Sequence, residues 1–120
     1  MTPTTTSVSD KIRVLNDEFR RLGPLYGRRQ FDGVWLLTSG VQANGPAFTW
    51  EALITTQTFD AFTADNDPHG EHDFGSFKIA GERVFWKIDY LQRGTQFGAE
   101  DPADNAATCR MITIMLAEEY

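Results

Sequence analysis

Near the middle of the chain, Asn66-Asp67-Pro68-His69-Gly70-Glu71-His72-Asp73-Phe74-Gly75 packs polar chemistry into ten residues. Segment 65–73 holds four carboxylates (Asp65, Asp67, Glu71, Asp73) and both histidines of the chain (His69, His72), with no Lys or Arg among them. Crowded carboxylates raise one another's proton affinity, and they favour a charged imidazole beside them. Three chemistries fit such a set. Imidazole nitrogen with carboxylate oxygen is an ordinary shell for zinc, manganese or iron, and a bound divalent metal would activate water for hydrolysis. Its ligands would come from His69, His72, Asp67 and Asp73, with Glu71 alongside and Lys87 as an electrostatic partner for the transition state. The spacing His69-x-x-His72 in a loop broken by Pro and Gly does not match the His-Glu-x-x-His helix of metalloproteases.

The second chemistry is metal-free: a histidine paired with a carboxylate moves protons near neutral pH, and Lys87 or Arg83 would hold an anionic group. The third is structural or interactive. Asp67-Pro68 opens a turn, Gly70 supplies a positive φ, and the carboxylates bond loop amides or face a partner. No serine or cysteine lies in a nucleophile motif, so Ser39 reads as a turn residue and Cys109 as a small packed side chain. The glycines form no phosphate-binding pattern, and Arg28-Arg29 is too short for a nucleic-acid patch.

Positioning that loop requires a scaffold, and the hydrophobic spacing predicts one. Ile12, Leu15, Phe19 and Leu22 recur at intervals of three and four, which predicts an amphipathic helix from about Ser9 to Leu22. Ser7 or Ser9 caps its start, Gly23-Pro24 ends it, and Lys11, Arg13, Asp17, Glu18, Arg20 and Arg21 fill its other faces. Residues 1–8 read as a flexible tail and 9–120 as a single globular domain. Strands are expected near 33–38, 74–79, 83–90 and 110–117, with the middle pair joined as a hairpin through Ala80-Gly81-Glu82. In the hairpin's second arm Val84, Trp86 and Ile88 share one face, while Phe85, Lys87 and Asp89 share the other, the last two as an ion pair. Residues 48–62 suit a helix by their apolar spacing and a strand by their Ile-Thr-Thr-Gln-Thr content; residues 108–120 carry the same ambiguity, with strand favoured. The expected fold class is α+β: an N-terminal helix packed on a mainly antiparallel sheet.

Composition narrows the function classes. The chain has 120 residues, 17 acidic against 11 basic, for a net charge of -6. Residues 1–33 hold six basic against four acidic residues, and residues 34–120 hold five against 13. That acidic body argues against direct binding to a nucleic-acid backbone and suits a protein partner with a basic surface. A lone cysteine, no apolar run of membrane-spanning length and a start with neither basic nor apolar character point to a soluble cytoplasmic protein.

Three blocks resemble an uncharacterised family of small bacterial proteins, found mainly among alphaproteobacteria and often borne on plasmids or mobile elements. They are Phe59-Asp60-x-Phe62-Thr63-x-Asp65-Asn66-Asp67-Pro68-x-Gly70-Glu71-His72-Asp73-Phe74-Gly75, then Phe85-Trp86-Lys87-Ile88-Asp89-Tyr90, and Asp101-Pro102-x-Asp104 with Thr108-x-Arg110 leading to Leu116-Ala117-x-Glu119-Tyr120. The resemblance transfers no activity. It implies a shared polar set of Asp65, Asn66, Asp67, Glu71, His72, Asp73, Lys87, Asp89, Arg110 and Glu119, and a mobile-element setting that suits counter-defence or regulation. His69 stands where Tyr is common in similar sequences, which moves any metal scheme onto His72. The expectation is therefore a non-enzymatic interaction or regulatory module without a cofactor, using Asp65, Asn66, Asp67 and Arg110 for binding. Its alternative is a small divalent-metal hydrolase drawing on Glu71, His72, Asp73, Lys87 and Asp89.

Overall fold

A computed structural model describes residues 7–26 and 31–120. Residues 1–6 of the expected tail and the pair Arg28-Arg29 lie outside the described residues. Helix α1 (Val8–Tyr26) starts where Ser7 Oγ accepts from the Asp10 amide, so Val8 already belongs to it. Gly23 takes φ 78° and breaks the helical path, and one further turn follows from Pro24.

Strand β1 (Asp32–Leu37) runs into the short helix α2 (Ser39–Ala43), whose amide at Val41 is capped by the Thr38 hydroxyl. Helix α3 (Pro46–Gln57) resolves the ambiguity over 48–62 as helix up to Gln57, with Thr58 as its C-cap and 59–62 in neither helix nor strand. Pro46 sits in its first turn, where a missing N–H costs nothing. Thr56 and Thr58 donate their hydroxyls to the carbonyls of Ala52 and Ile54, which accommodates β-branched residues in a helical path.

Strands β2 (Phe74–Ile79) and β3 (Glu82–Gln92) form the expected hairpin, with Ala80 and Gly81 both at positive φ (50° and 83°) as a two-residue turn requires. The C-terminal ambiguity resolves as strand β4 (Thr108–Leu116) followed by a 3-10 turn at Ala117–Glu119. The sheet order is β1-β4-β3-β2; β1 and β4 are parallel, and the other two pairings are antiparallel. The fold is thus α+β, with a mixed four-stranded sheet.

Register divides the sheet into two faces. Trp35, Ile112, Ile114, Val84, Trp86 and Ile88 fall on one, where the core also takes Phe19 of α1 and Phe48 and Ala52 of α3. Phe85, Lys87 and Asp89 fall on the other, as the alternation predicts. Glu119 locks the end of β4 to α2, accepting from Thr38 Oγ1 (2.7 Å), Leu116 N (2.8 Å) and Gly40 N (3.1 Å).

Candidate functional site

The 63–73 loop follows α3 and leads into β2, and its first half is organised by its own side chains. Asn66 Oδ1 accepts from the Thr63 amide at 2.8 Å, Asp67 N donates to Thr63 O, and Gly70, at φ 66°, donates to Asp67 O. Asp65, Asn66 and His69 point to solvent, whereas Asp67 is buried. Asp67 turns inward to receive the His72 amide at 3.1 Å.

Helix α1 holds the second half. His72 Nδ1 lies 2.9 and 3.1 Å from the two oxygens of Asp17, and a carboxylate that only accepts places the proton on Nδ1. Its Nε2 faces Asp67 Oδ2 at 3.6 Å. The ring lies flat on Phe62, with centroids 3.7 Å apart and planes 3° from parallel. Asp17 also pairs with Arg20 at 2.9 Å. Arg20 is fully buried and donates to the carbonyls of Thr56, Gln57 and Phe59, so it caps the C-terminal end of α3 with a cation. Its guanidinium sits 5.5 Å from the Phe62 ring centre and 5.2 Å from that of Trp86. Burial pushes its pKa down and Asp17 pulls it back up.

A second buried node adjoins the first. Asn16 donates to Glu71 O (3.0 Å) and Tyr90 Oη (2.8 Å), and accepts from Arg110 Nε (2.9 Å). The Tyr90 hydroxyl donates to Glu71 Oε1 at 2.9 Å. Arg110 also donates to Asn105 Oδ1 and Pro102 O, and lies over the Tyr90 ring. Burial raises the Tyr90 pKa, so the phenol stays a donor. Asp73 is pushed up as well, by burial first and then by the charge of Glu71.

The candidate residues therefore divide. Asp67, Glu71, His72 and Arg110 come together in one network under the loop. Arg110 is wholly buried in it, and its donors are spent on protein acceptors. Lys87 and Asp89 pair with each other at 3.1 Å on the opposite face of the sheet. His69 and Asp65 stand outside the network. Both ring nitrogens of His72 face carboxylates, and no group of three or more His, Cys, Asp or Glu side chains among the described residues is placed to hold a metal ion. A cavity of about 380 Å³ beside α3, lined by Leu37, Gln42, Pro46, Thr49, Trp50 and Leu53, contains none of the candidate residues. Asn16, Asp17 and Arg20 complete the site from α1, and the one sign of this in the sequence is that Ile12, Asn16 and Arg20 follow one another at intervals of four and so share a row along the helix.

A family model described as a protein of unknown function (DUF3768) matches residues 37–119, more than half of the chain, and the chain belongs to that family. The matched segment spans the loop, the hairpin and β4; α1, which supplies Asn16, Asp17 and Arg20, precedes it. No curated protein and no solved structure matches the chain. No helix among the described residues is long and apolar enough to cross a membrane.

Proposed function

We propose that this DUF3768 member is a non-enzymatic interaction module that presents an acidic end to a protein partner with a basic surface. The observation that carries the reading is where the cations point. Arg20 and Arg110, the arginines bound to the loop network, are fully buried and turned inward. The outward carboxylates beside them keep no ion pair among the described residues: Asp65 on one loop, and Glu100, Asp101 and Asp104 on the loop between β3 and β4. The two loops flank Tyr90, one through Glu71 and the other through the Ala99 amide on Tyr90 O. An acidic surface mounted on loops held by their own hydrogen bonds steers and orients a basic partner. In a counter-defence setting that partner would be a nucleic-acid-binding protein whose basic groove the acidic end occupies.

The test is capture by the full chain from lysate of the source cells, at low and high salt, beside the Asp65→Asn/Glu100→Gln/Asp101→Asn/Asp104→Asn variant. These amide replacements keep the turn acceptors at Asp101 and Asp104 that bond the Ala103 and Ala106 amides. A partner retained by the native chain, released by salt and lost with the variant supports the reading. A partner held equally by both at either salt refutes it. Asp67 is left intact because it braces the loop from within.

A further inference from the structure

The face of the sheet turned away from the helices has a charge opposite to that of the rest of the chain. Its strand positions are set by register: Phe74 opposite Lys87, Ser76 opposite Phe85 and Lys78 opposite Arg83, continuing through Asp89, Met111 and Val34. From residue 34 onward the chain has five basic residues, and Arg110 is the buried one. Lys78, Arg83 and Lys87 occupy this face, and Arg93 just beyond β3 reaches Asp32 on the same side at 3.5 Å. Its strands carry two carboxylates here, Asp32 and Asp89, so four cations face two anions on a chain of net charge -6.

Asp89 takes Lys87 and Asp32 takes Arg93, which leaves Lys78 and Arg83 without an ion-pair partner among the described residues; Arg83 donates to Ser76 Oγ at 2.8 Å, a neutral acceptor that leaves its charge uncompensated. These two like charges sit directly opposite each other across the hairpin, an arrangement that costs a sheet stability. A lysine on an edge strand guards against unwanted strand pairing, which accounts for Lys78 but not for Arg83 on the inner strand. Beside them Tyr120 packs edge to face on Phe74 and Phe85, which are tilted against each other, with centroids 5.2 to 6.2 Å apart, and Tyr120 is 75% exposed.

We propose that this open face docks a short acidic segment of a protein partner whose apolar residues cover Phe85 and Tyr120 while its carboxylates meet Lys78 and Arg83. Two cations without carboxylate partners match a few carboxylates and not a polyphosphate backbone, whose binding requires many neutralising contacts. The rings are tilted against one another and so offer edges and side-chain grooves instead of parallel platforms for bases. The face is separate from the acidic end and has the opposite charge preference.

The experiment is an amide and methyl NMR titration of the full chain with a synthetic peptide bearing a Leu-Phe-Leu core between paired glutamates. Saturable shifts confined to β2, β3 and Tyr120, with affinity about tenfold weaker in the Lys78→Gln/Arg83→Gln variant, are expected. That variant removes a like-charge pair, so its spectrum stays dispersed. Unsaturable binding, shifts centred on the 63–73 loop, or equal affinity in the variant would overturn the proposal. So would tighter binding of oligothymidylate at the same face, which would assign it to nucleic acid, or shifts that track protein concentration alone, which would assign it to a second copy.

Discussion

Replacing Arg20 with methionine removes the donor to three carbonyls at the end of α3, of which those of Thr56 and Phe59 are bonded in fully buried surroundings. Phe59 O loses its buried donor, at about 1–3 kcal/mol, whereas Thr56 O keeps the Phe59 amide at 3.3 Å and loses only its bond to a charged donor. Asp17 loses its 2.9 Å ion pair but keeps the His72 contact, which limits that part of the loss. Methionine fills much of the space against Phe62 and Trp86, and it eliminates Arg20 Nε, a buried nitrogen without a hydrogen-bond partner, returning about 1 kcal/mol. The sum is a loss of about 3 kcal/mol, at the lower edge of what removing one member of a buried pair costs. For a chain of this size that lowers the thermal midpoint by about 12 °C. Urea unfolding followed by tryptophan fluorescence reads it directly, because Trp86 lies against the guanidinium. Arg20→Lys keeps the charge without the planar fork and should fall between the two. A loss below about 1 kcal/mol for methionine at unchanged m-value would refute the claim that Arg20 joins α1, α3 and the loop.

Gly75→Ala should cost about 2–3 kcal/mol in the same assay, since a Cβ there would run into the Trp86 indole and come within 2.9 Å of the Phe59 ring. Glu119 is held below its ordinary pKa, first by the Thr38 hydroxyl, so its contribution is present above the unfolded-state value near pH 4 and is lost as pH falls through the folded one. The urea midpoint of Glu119→Gln should therefore trail that of the native chain at pH 7 and meet it in acid. Asp73 has the opposite sign: burial raises its pKa, so ionising it at neutral pH costs stability. Asp73→Asn should raise the urea midpoint at pH 7, with the gain vanishing below about pH 4; a loss at pH 7 would show that its charge is stabilised.

The hairpin, the two faces of β3 and the apolar stripe of α1 were legible because periods of two and near four are written directly into side-chain polarity. Residues 48–62 resisted, since β-branched threonines weigh toward strand until their hydroxyls find carbonyls one turn back, a pairing that sequence does not display. The loop was legible as a cluster and not as a site. Asp67 and His72 are adjacent to solvent-facing neighbours in sequence, yet Asp67 turns to the His72 amide and His72 to the Phe62 ring and to Asp17, 55 residues away. Arg20 counts among the polar-face charges of α1 in sequence, because an arginine at the border of an apolar stripe looks the same whether it reaches water or a buried helix end. Arg110 concealed its burial for the same reason, since nothing in Thr-Cys-Arg reveals that Asn16 waits 94 positions earlier.

The strand order also fixes a sequence of events in folding. β1 is the first strand in the chain, but its partner is β4, the last, which lies between β1 and β3. As the chain is made, β1 waits with unpaired backbone groups through two helices and the complete β2–β3 hairpin. The hairpin, closed by a two-residue turn, can form early, and β4 then joins β3 and captures β1 in the same act. Contacts of such long sequence separation slow folding, because loop closure must precede the pairing that rewards it. A shortened chain ending before Thr108 would thus strand β1 and expose the buried side of β3, making such fragments prone to proteolysis and aggregation.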